Sequence, residues 1–406
     1  MFLLAILSIL GPLGTDLNLP GLPTMARALH ASASQAQLTI SSFLLAYGVS
    51  QVVVGAFSDR YGRRPILLWS FVVFTLAGLG CAVVNDVRTL IALRFVHGAG
   101  ACVGIVNVRA IVRDVHTDRN RAAALQSHVT ALQCFAIMAA PLLGAGLLVL
   151  LGWRSVFWFL FLTGIFLFIL VLVCLPETSP RLARGALEGY GRVLQLRRAK
   201  AAGAFMFFAW GAYFALMAAL PFVLATYFSP PAALFLLACA FMLGSLTGAR
   251  LIRRIHADQV MRAGVGLVVI TGLAVWAADW LRPSPQGFLA TLVVFGFAMG
   301  IALPNAFASG LADAGSDAGL ASGLLGAVQI GGSSIGVALV AWLPWGSGPS
   351  AGLVTGLGAL VAGASFWWGD RRLRLSRHTA NCPDHAAGPA MAAAASAEEP
   401  GDSEAK

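Results

Sequence analysis

The sequence predicts an all-α polytopic membrane protein, with about twelve transmembrane helices in two six-helix bundles. Three observations predict it. Of 406 residues, 58% are hydrophobic and 11% charged, with a mean hydropathy of +0.82; a soluble domain carries roughly 25% charged residues, so this chain cannot clothe a water-facing surface of the expected size. Apolar runs of about 20 residues, the length that crosses a bilayer core, recur along most of the chain. Arginines cluster between alternate runs.

The runs lie at about 2–23, 36–57, 66–85, 89–112, 124–150, 154–175, 202–225, 232–252, 260–281, 286–309, 319–343 and 350–369. The first is interrupted by Gly11, Pro12, Gly14, Pro20, Gly21 and Pro23, the pattern of a broken helix on a transport pathway. The Gly-rich stretch Ala327 to Gly336 still reads as helix, because Gly is common in spans that pack closely.

Loop charge sets the orientation. One set of loops holds Arg60, Arg63 and Arg64; Arg113, Arg119 and Arg121; Arg181, Arg184, Arg192, Arg197, Arg198 and Lys200; Arg250, Arg253, Arg254 and Arg262; and Arg371, Arg372, Arg374 and Arg377. The alternate loops hold Arg27, Arg88, Arg154 and Arg282 singly. The positive-inside rule therefore places both termini in the cytoplasm. The turn carrying Asp313 and Asp317 without a base is the exception.

The expected organisation is a first bundle over 1–175, a basic cytoplasmic linker over 176–201, a second bundle over 202–370 and a disordered cytoplasmic tail over 371–406. The segments GAFSDRYGRRP and GARLIRRIHAD, after the second and eighth spans, are weakly similar, as in a duplicated unit. So few residues precede the first span that the start reads as truncated or misassigned.

The net charge of +10 would point to nucleic acid in a soluble protein, but its distribution is topological and no nucleic-acid partner is expected. Five cysteines lie in or beside apolar segments, the sixth is Cys382, and no CxxC or Cys/His spacing occurs, so no metal site, cofactor or disulfide framework is indicated. No grouping of nucleophile, base and oxyanion donors suggests an enzyme.

A charge inside a span costs at least about 2.5–3.5 kcal/mol and needs a reason. Asp16 reads either as a carboxylate that exchanges a proton as the site opens to each side, or as a helix-end residue solvated at the interface. Arg94 reads as a fixed positive charge or as a side chain that snorkels outward. His97, one turn on and on the same face, reads as a proton relay or as a hydrogen-bonded packing residue. In the loop from Gly55 to Pro65, Gly55 and Gly62 suit close approach and a tight turn, Asp59 can meet a helix dipole or an arginine, and Arg60, Arg63 and Arg64 anchor one face. Candidate cavity residues are Asn18, Asn107, Gln133, Tyr213, Asn305 and Gln329, with Trp210, Phe214 and Tyr227 beside them; ordinary packing is an equal reading for each.

The loop GAFSDRYGRRP resembles the signature between helices 2 and 3 of the major facilitator superfamily. Together with TDLNLPGLP, ALRFVHGAGA, RAIVRD, APLLGAGLL, GWRSVFW, LPET and LPNAFASGL, it resembles the Bcr/CflA family of proton-coupled drug efflux transporters. The resemblance implies the major facilitator fold in a bacterial inner membrane, acting as a monomer in the lipid bilayer. It also implies export of a small drug or metabolite, of bicyclomycin, phenicol or sulfonamide type, against inward proton flow. By the same resemblance Asp16 is the protonation site, Arg94 assists proton transfer, and Asp59 with Arg60 and Arg63 latches the bundles. Pro141 with Gly144 and Gly146 matches the helix 5 motif, where small residues and a missing N–H let helices bend and pack. His97 stands where that family usually has Gln, Asn18 where it has an aromatic residue, and Ala145 interrupts the usual Gly pair. A proton symporter importing a sugar or organic acid, or a receptor without transport, are the competing readings.

Overall fold

The computed structural model describes residues 2–115, 119–178, 186–224, 229–281 and 285–380, and every regular element among them is helical. The helices are α1 (Phe2–Asp16), α2 (Leu22–Ala28), α3 (Ala33–Tyr61), α4 (Arg63–Val83), α5 (Val87–Ala101), α6 (Val103–Val115), α7 (Arg119–Leu151) and α8 (Arg154–Cys174). They continue with α9 (Ala186–Val193), α10 (Arg197–Val223), α11 (Pro230–Ile252), α12 (Ala257–Leu281), α13 (Pro285–Leu311), α14 (Ala318–Trp342) and α15 (Ser347–Ala380).

Ten stretches among the described residues are long and apolar enough to cross a membrane: α3, α4, α5 with the start of α6, α8, and α10 to α15. Two expected spans differ from this. The first is not one helix: α1 stops at Asp16, a 3-10 turn follows at Leu19–Gly21, and α2 begins at Leu22. With 15 residues α1 rises only about 22 Å, short of a bilayer core. In α7 the apolar part is Phe135–Leu151. α15 stays helical to Ala380, past the expected start of the tail at 371; 381–406 lie outside the described residues. The expected linker contains a helix, α9, and α10 already starts at Arg197.

Helix starts follow local chemistry. Ser32 and Gln35 form a reciprocal capping box at α3, with bonds of 3.1 and 2.9 Å. Asp86 caps α5 by accepting from the Thr89 amide at 2.7 Å, which holds its carboxyl below the ordinary value.

In the first half α4 packs on α8 and α5, α3 on α5, and α1 on α7 and α6. In the second half α10 packs on α14 and α15, α11 on α13, and α12 on α13 and α15. Between the halves α3 runs along α14, and α7 meets α11. Phe43, Phe71, Phe74, Phe157, Phe205 and Phe295 fill the interior, whereas Trp69, Val149, Leu150 and Trp342 face outward. Lipid is as apolar as Leu, so helix association rests on close packing and hydrogen bonds. The α10–α14 seam shows this: a side chain at Gly332 would strike the Phe207 carbonyl, and one at Gly336 the Gly211 carbonyl.

The helix ends that carry Arg60 to Arg64, Arg192 to Arg198, Arg262 and Arg371 gather at one end of the molecule, where Gly55 nears Tyr190 and Gly369 meets Ala201. There Arg262 pairs with Asp370 at 3.1 Å, joining α12 to α15. At the same end α9 packs in a small apolar cluster of its own, Val193 and Leu196 against Ala314, Leu320 and Ala321. Arg192 grips Asp317 with both guanidinium branches, at 2.8 and 2.9 Å, and Arg198 reaches Asp313 at 3.4 Å. The acidic turn that departs from the positive pattern is therefore the docking point of the basic linker.

Gly332→Val should lower the thermal unfolding midpoint of the solubilised protein, an overpacking cost of about 1–3 kcal/mol. The hydrogen bond from Arg192 holds the Asp317 carboxyl below its ordinary value. Its contribution is thus complete above the ordinary value of 3.8 and lost as pH falls through the lower folded value. Hydrogen exchange in α9, corrected for intrinsic rates, should loosen only below that range in the wild type, and already at neutral pH in Arg192→Ala.

Candidate functional site

The site is built around the point where α1 breaks. A helix leaves its last carbonyls without intrahelical donors and carries partial negative charge at that end. The Asn18 amide bonds to the Thr15 carbonyl at 3.2 Å rather than continuing the i to i−4 ladder, which frees the Gly14 carbonyl. Arg94, fully buried on α5, donates to that carbonyl at 2.8 Å. It also donates to the Thr39 carbonyl of α3 at 3.4 Å. Its guanidinium carbon lies 4.1 Å from the Phe43 ring centroid and 5.7 Å from that of Phe157 on α8. Arg94 therefore does not snorkel; it ties α1, α3, α5 and α8 together.

Asp16, the last residue of α1, is 3% exposed and accepts a hydrogen bond from the Thr15 hydroxyl at 3.0 Å. It is a buried carboxylate, not a helix end solvated at an interface. Tyr213 on α10, 5% exposed, stands within electrostatic reach of it. Tyr213 stacks on Trp210 with centroids 5.2 Å apart, and Phe214 and Phe241 complete the aromatic group. Asp16 of the first half and this aromatic group of the second thus lie within electrostatic reach of each other. Asn18 Nδ2 and Trp210 Nε1 are buried donors with no hydrogen-bond partner among the described residues.

His97 is fully buried with Nδ1 3.2 Å from Arg94 Nη1. Gln133 on α7 donates to the Ser8 carbonyl of α1 at 3.2 Å. Gly144, three residues after Pro141 in α7, lets the α7 backbone meet the Leu17 carbonyl, where any side chain would collide, whereas Gly146 faces nothing within 4 Å. Asn305 bonds back to the Ile301 carbonyl of its own helix at 2.7 Å. The Gln329 backbone carbonyl accepts from the Ser333 hydroxyl at 3.2 Å. Tyr227 lies outside the described residues.

The signature loop forms a second cluster at the arginine-rich end. Gly62 has φ +102°, a conformation that suits glycine, and turns α3 into α4. Arg63 is buried; its guanidinium donates to Ser58 Oγ at 3.1 Å, and Ser58 donates to Asn107 Oδ1 at 2.6 Å. Asn107 therefore belongs here rather than beside Asp16. Glu177, just after α8, accepts from the Arg63 and Arg64 amides at 2.9 and 3.2 Å, capping α4. Arg64 reaches the Leu172 carbonyl at 2.8 Å. Arg60 lies 5.4 Å over Tyr61 and is exposed, Gly55 sits near the Tyr190 hydroxyl of α9, and the Asp59 side chain lies outside the described part. The signal for Glu177 in the sequence is an acid directly after a span, in LPET, placed to meet the positive start of α4.

At the opposite end α3 and α14 are joined hydroxyl to carbonyl in both directions, Ser41 to the Ser334 carbonyl at 2.9 Å and Ser334 to the Ser41 carbonyl at 2.8 Å. Gln37 donates to Ser347 at 3.2 Å beyond them. These residues escape sequence reading because serines are common in spans and only their pairing distinguishes them.

Gly62→Ala should cost about 1–3 kcal/mol, because the alanine must hold a left-handed backbone while its methyl meets the Glu177 carboxylate. Glu177→Gln, which keeps an acceptor, should lose less. Unfolding midpoints of the two purified variants check the order.

Residues 4–337 match the sequence profile of the Major Facilitator Superfamily. An uncharacterized MFS-type transporter, YdgK, of Bacillus subtilis (strain 168) is 33% identical over 346 residues, 81% of this chain and 85% of the relative. A bicyclomycin resistance protein homolog of Haemophilus influenzae is 28% identical over 361 residues, 83% and 87% of the two chains. Among solved structures, the partially occluded inward-open xylose transporter XylE of E. coli superposes with a TM-score of 0.72 at 12% identity, covering 90% of this chain and 96% of that one. With a helical membrane architecture broken at its first span and a profile match over most of its length, this chain belongs to the Major Facilitator Superfamily.

Proposed function

We propose that this transporter exports small drug-like molecules in exchange for protons, by alternating access between its two halves, with Asp16 as the group that holds either the proton or the cargo. The observation that carries the reading is Asp16, the one buried carboxylate among the described residues, at the broken end of α1 and within electrostatic reach of Tyr213 in the other half. The similarity to a protein named for bicyclomycin resistance supports drugs as cargo. Fold likeness to a xylose transporter is neutral on cargo and direction.

Chemically, the aromatic group offers ring surfaces for a flat or apolar ligand, and Asn18 Nδ2 and Trp210 Nε1 offer donors to a carbonyl or sulfone. Asp16 in its charged form attracts a donor on the cargo; once protonated it loses that attraction, and cargo leaves. Each inward proton contributes about 2.3 kcal/mol per 100 mV of membrane potential toward raising the cargo gradient. The reciprocal Ser41–Ser334 bonds join the halves at one end; in the proposed cycle, rocking about the α3–α14 seam breaks them as the arginine-rich end, which the positive-inside rule places in the cytoplasm, closes.

Expression in a host without its own pumps should raise tolerance to bicyclomycin or phenicols, and a protonophore should raise drug accumulation. Asp16→Asn should remove coupled efflux, on the order of a hundredfold in rate, while the protein stays in the membrane. Full proton-dependent efflux in that variant would refute the assignment.

A further inference from the structure

His97 contacts Arg94, and its surroundings decide between a proton relay and a hydrogen-bonded packing residue. The Arg94 Nη1–His97 Nδ1 contact is 3.2 Å, with both side chains fully buried. A guanidinium nitrogen can only donate, so Nδ1 must present its lone pair, and the ring proton resides on Nε2. A second proton on Nδ1 would set N–H against N–H and place two buried positive charges in contact.

The remaining surroundings point the same way. Phe74 of α4 lies 4.1 Å from the imidazole centroid and Phe43 of α3 lies 5.6 Å from it. Nε2 faces Gly78 of α4 and, among the described residues, has no hydrogen-bond partner. Among the described residues, the ionisable groups near the pair are Arg94 itself, on α5, and Cys81 of α4, which feels the Arg94 charge. Among the described residues no carboxylate contacts the imidazole; the bond to Asp16 comes from Thr15. A relay needs a donor on one side and an acceptor on the other, whereas this ring has a permanent cation on one side and phenyl rings around it.

We infer that His97 is a positioning residue: as a neutral acceptor at Nδ1 it steers the Arg94 guanidinium onto the Gly14 carbonyl, and so holds the broken end of α1 on which Asp16 is carried. Arg94 has bonds to α1, to α3 and to His97, and only the last acceptor is a side chain that substitution can remove without altering a backbone. The inference refines the proposed exchange mechanism and rests on it only for the transport readout.

Two substitutions separate the possibilities. Asparagine places Oδ1 where the imidazole has Nδ1 but cannot carry a proton; leucine keeps the bulk and removes the acceptor. In proteoliposomes, His97→Asn should retain drug/proton exchange within about threefold of wild type, with the same pH profile. His97→Leu should lose about tenfold or more in rate. Independently of transport, hydrogen exchange at the amides of residues 13–18 should match wild type in His97→Asn and quicken at least tenfold in His97→Leu, with no added effect in His97→Leu/Arg94→Lys over Arg94→Lys alone. Loss of the pH dependence of exchange in His97→Asn would show that the imidazole carries the proton, and wild-type protection in His97→Leu would show that it positions nothing; either overturns the inference. Absence of drug-coupled proton flux in the wild type would instead overturn the exchange mechanism and leave the hydrogen-exchange comparison standing.

Discussion

The bond from the Arg94 guanidinium to the Gly14 carbonyl is the constraint on which the architecture of the site depends. A broken helix inside a membrane protein exposes carbonyls that nothing in lipid can satisfy, and a buried cation without a carboxylate is costly by itself. Each defect answers the other. Hydrogen bonds to a charged group contribute about 1.5–3 kcal/mol apiece, and a desolvated cation over a ring about 2 kcal/mol, which together are of the size of the effective penalty for burying one ion. The outcome is a fixed end to α1, with Asp16 held at a defined depth.

That arrangement separates the two charges by role. The guanidinium is occupied by α1, α3, His97 and two phenyl faces, while Asp16 has a hydroxyl from its own helix and an aromatic wall across from it. In the proposed exchange, Asp16 is thus left to the cargo and Arg94 to the scaffold. A mobile arginine able to pair with Asp16 would fix its charge and compete with any ligand; one consumed by carbonyls does not.

The two ends of the molecule are built from different materials. One end is joined by serine hydroxyls across α3 and α14, bonds that can be exchanged at small cost. At the other, the signature loop is organised by buried groups, Arg63, Ser58 and Asn107, with Glu177 capping α4, and the α9 linker is held by surface ion pairs. Exposed pairs of the Arg192–Asp317 kind contribute little to stability, so they suit a contact that forms and releases.

The membrane class, the order of apolar segments, the break in the first of them and the rarity of Asp16 and Arg94 were all determined by sequence alone, because hydropathy, proline and charge act locally and lipid offers no competing way to satisfy a backbone. What tertiary structure decided was partnership. Whether Arg94 snorkels or caps, whether Asn107 belongs to the cavity or to the signature loop, that Glu177 caps α4, and that Ser41 meets Ser334 all depend on which helix faces which across more than forty residues of chain. Composition sets that each polar group must find a partner; only packing in three dimensions chooses the partner, since several candidates satisfy the same hydrogen-bonding valence and differ only in distance.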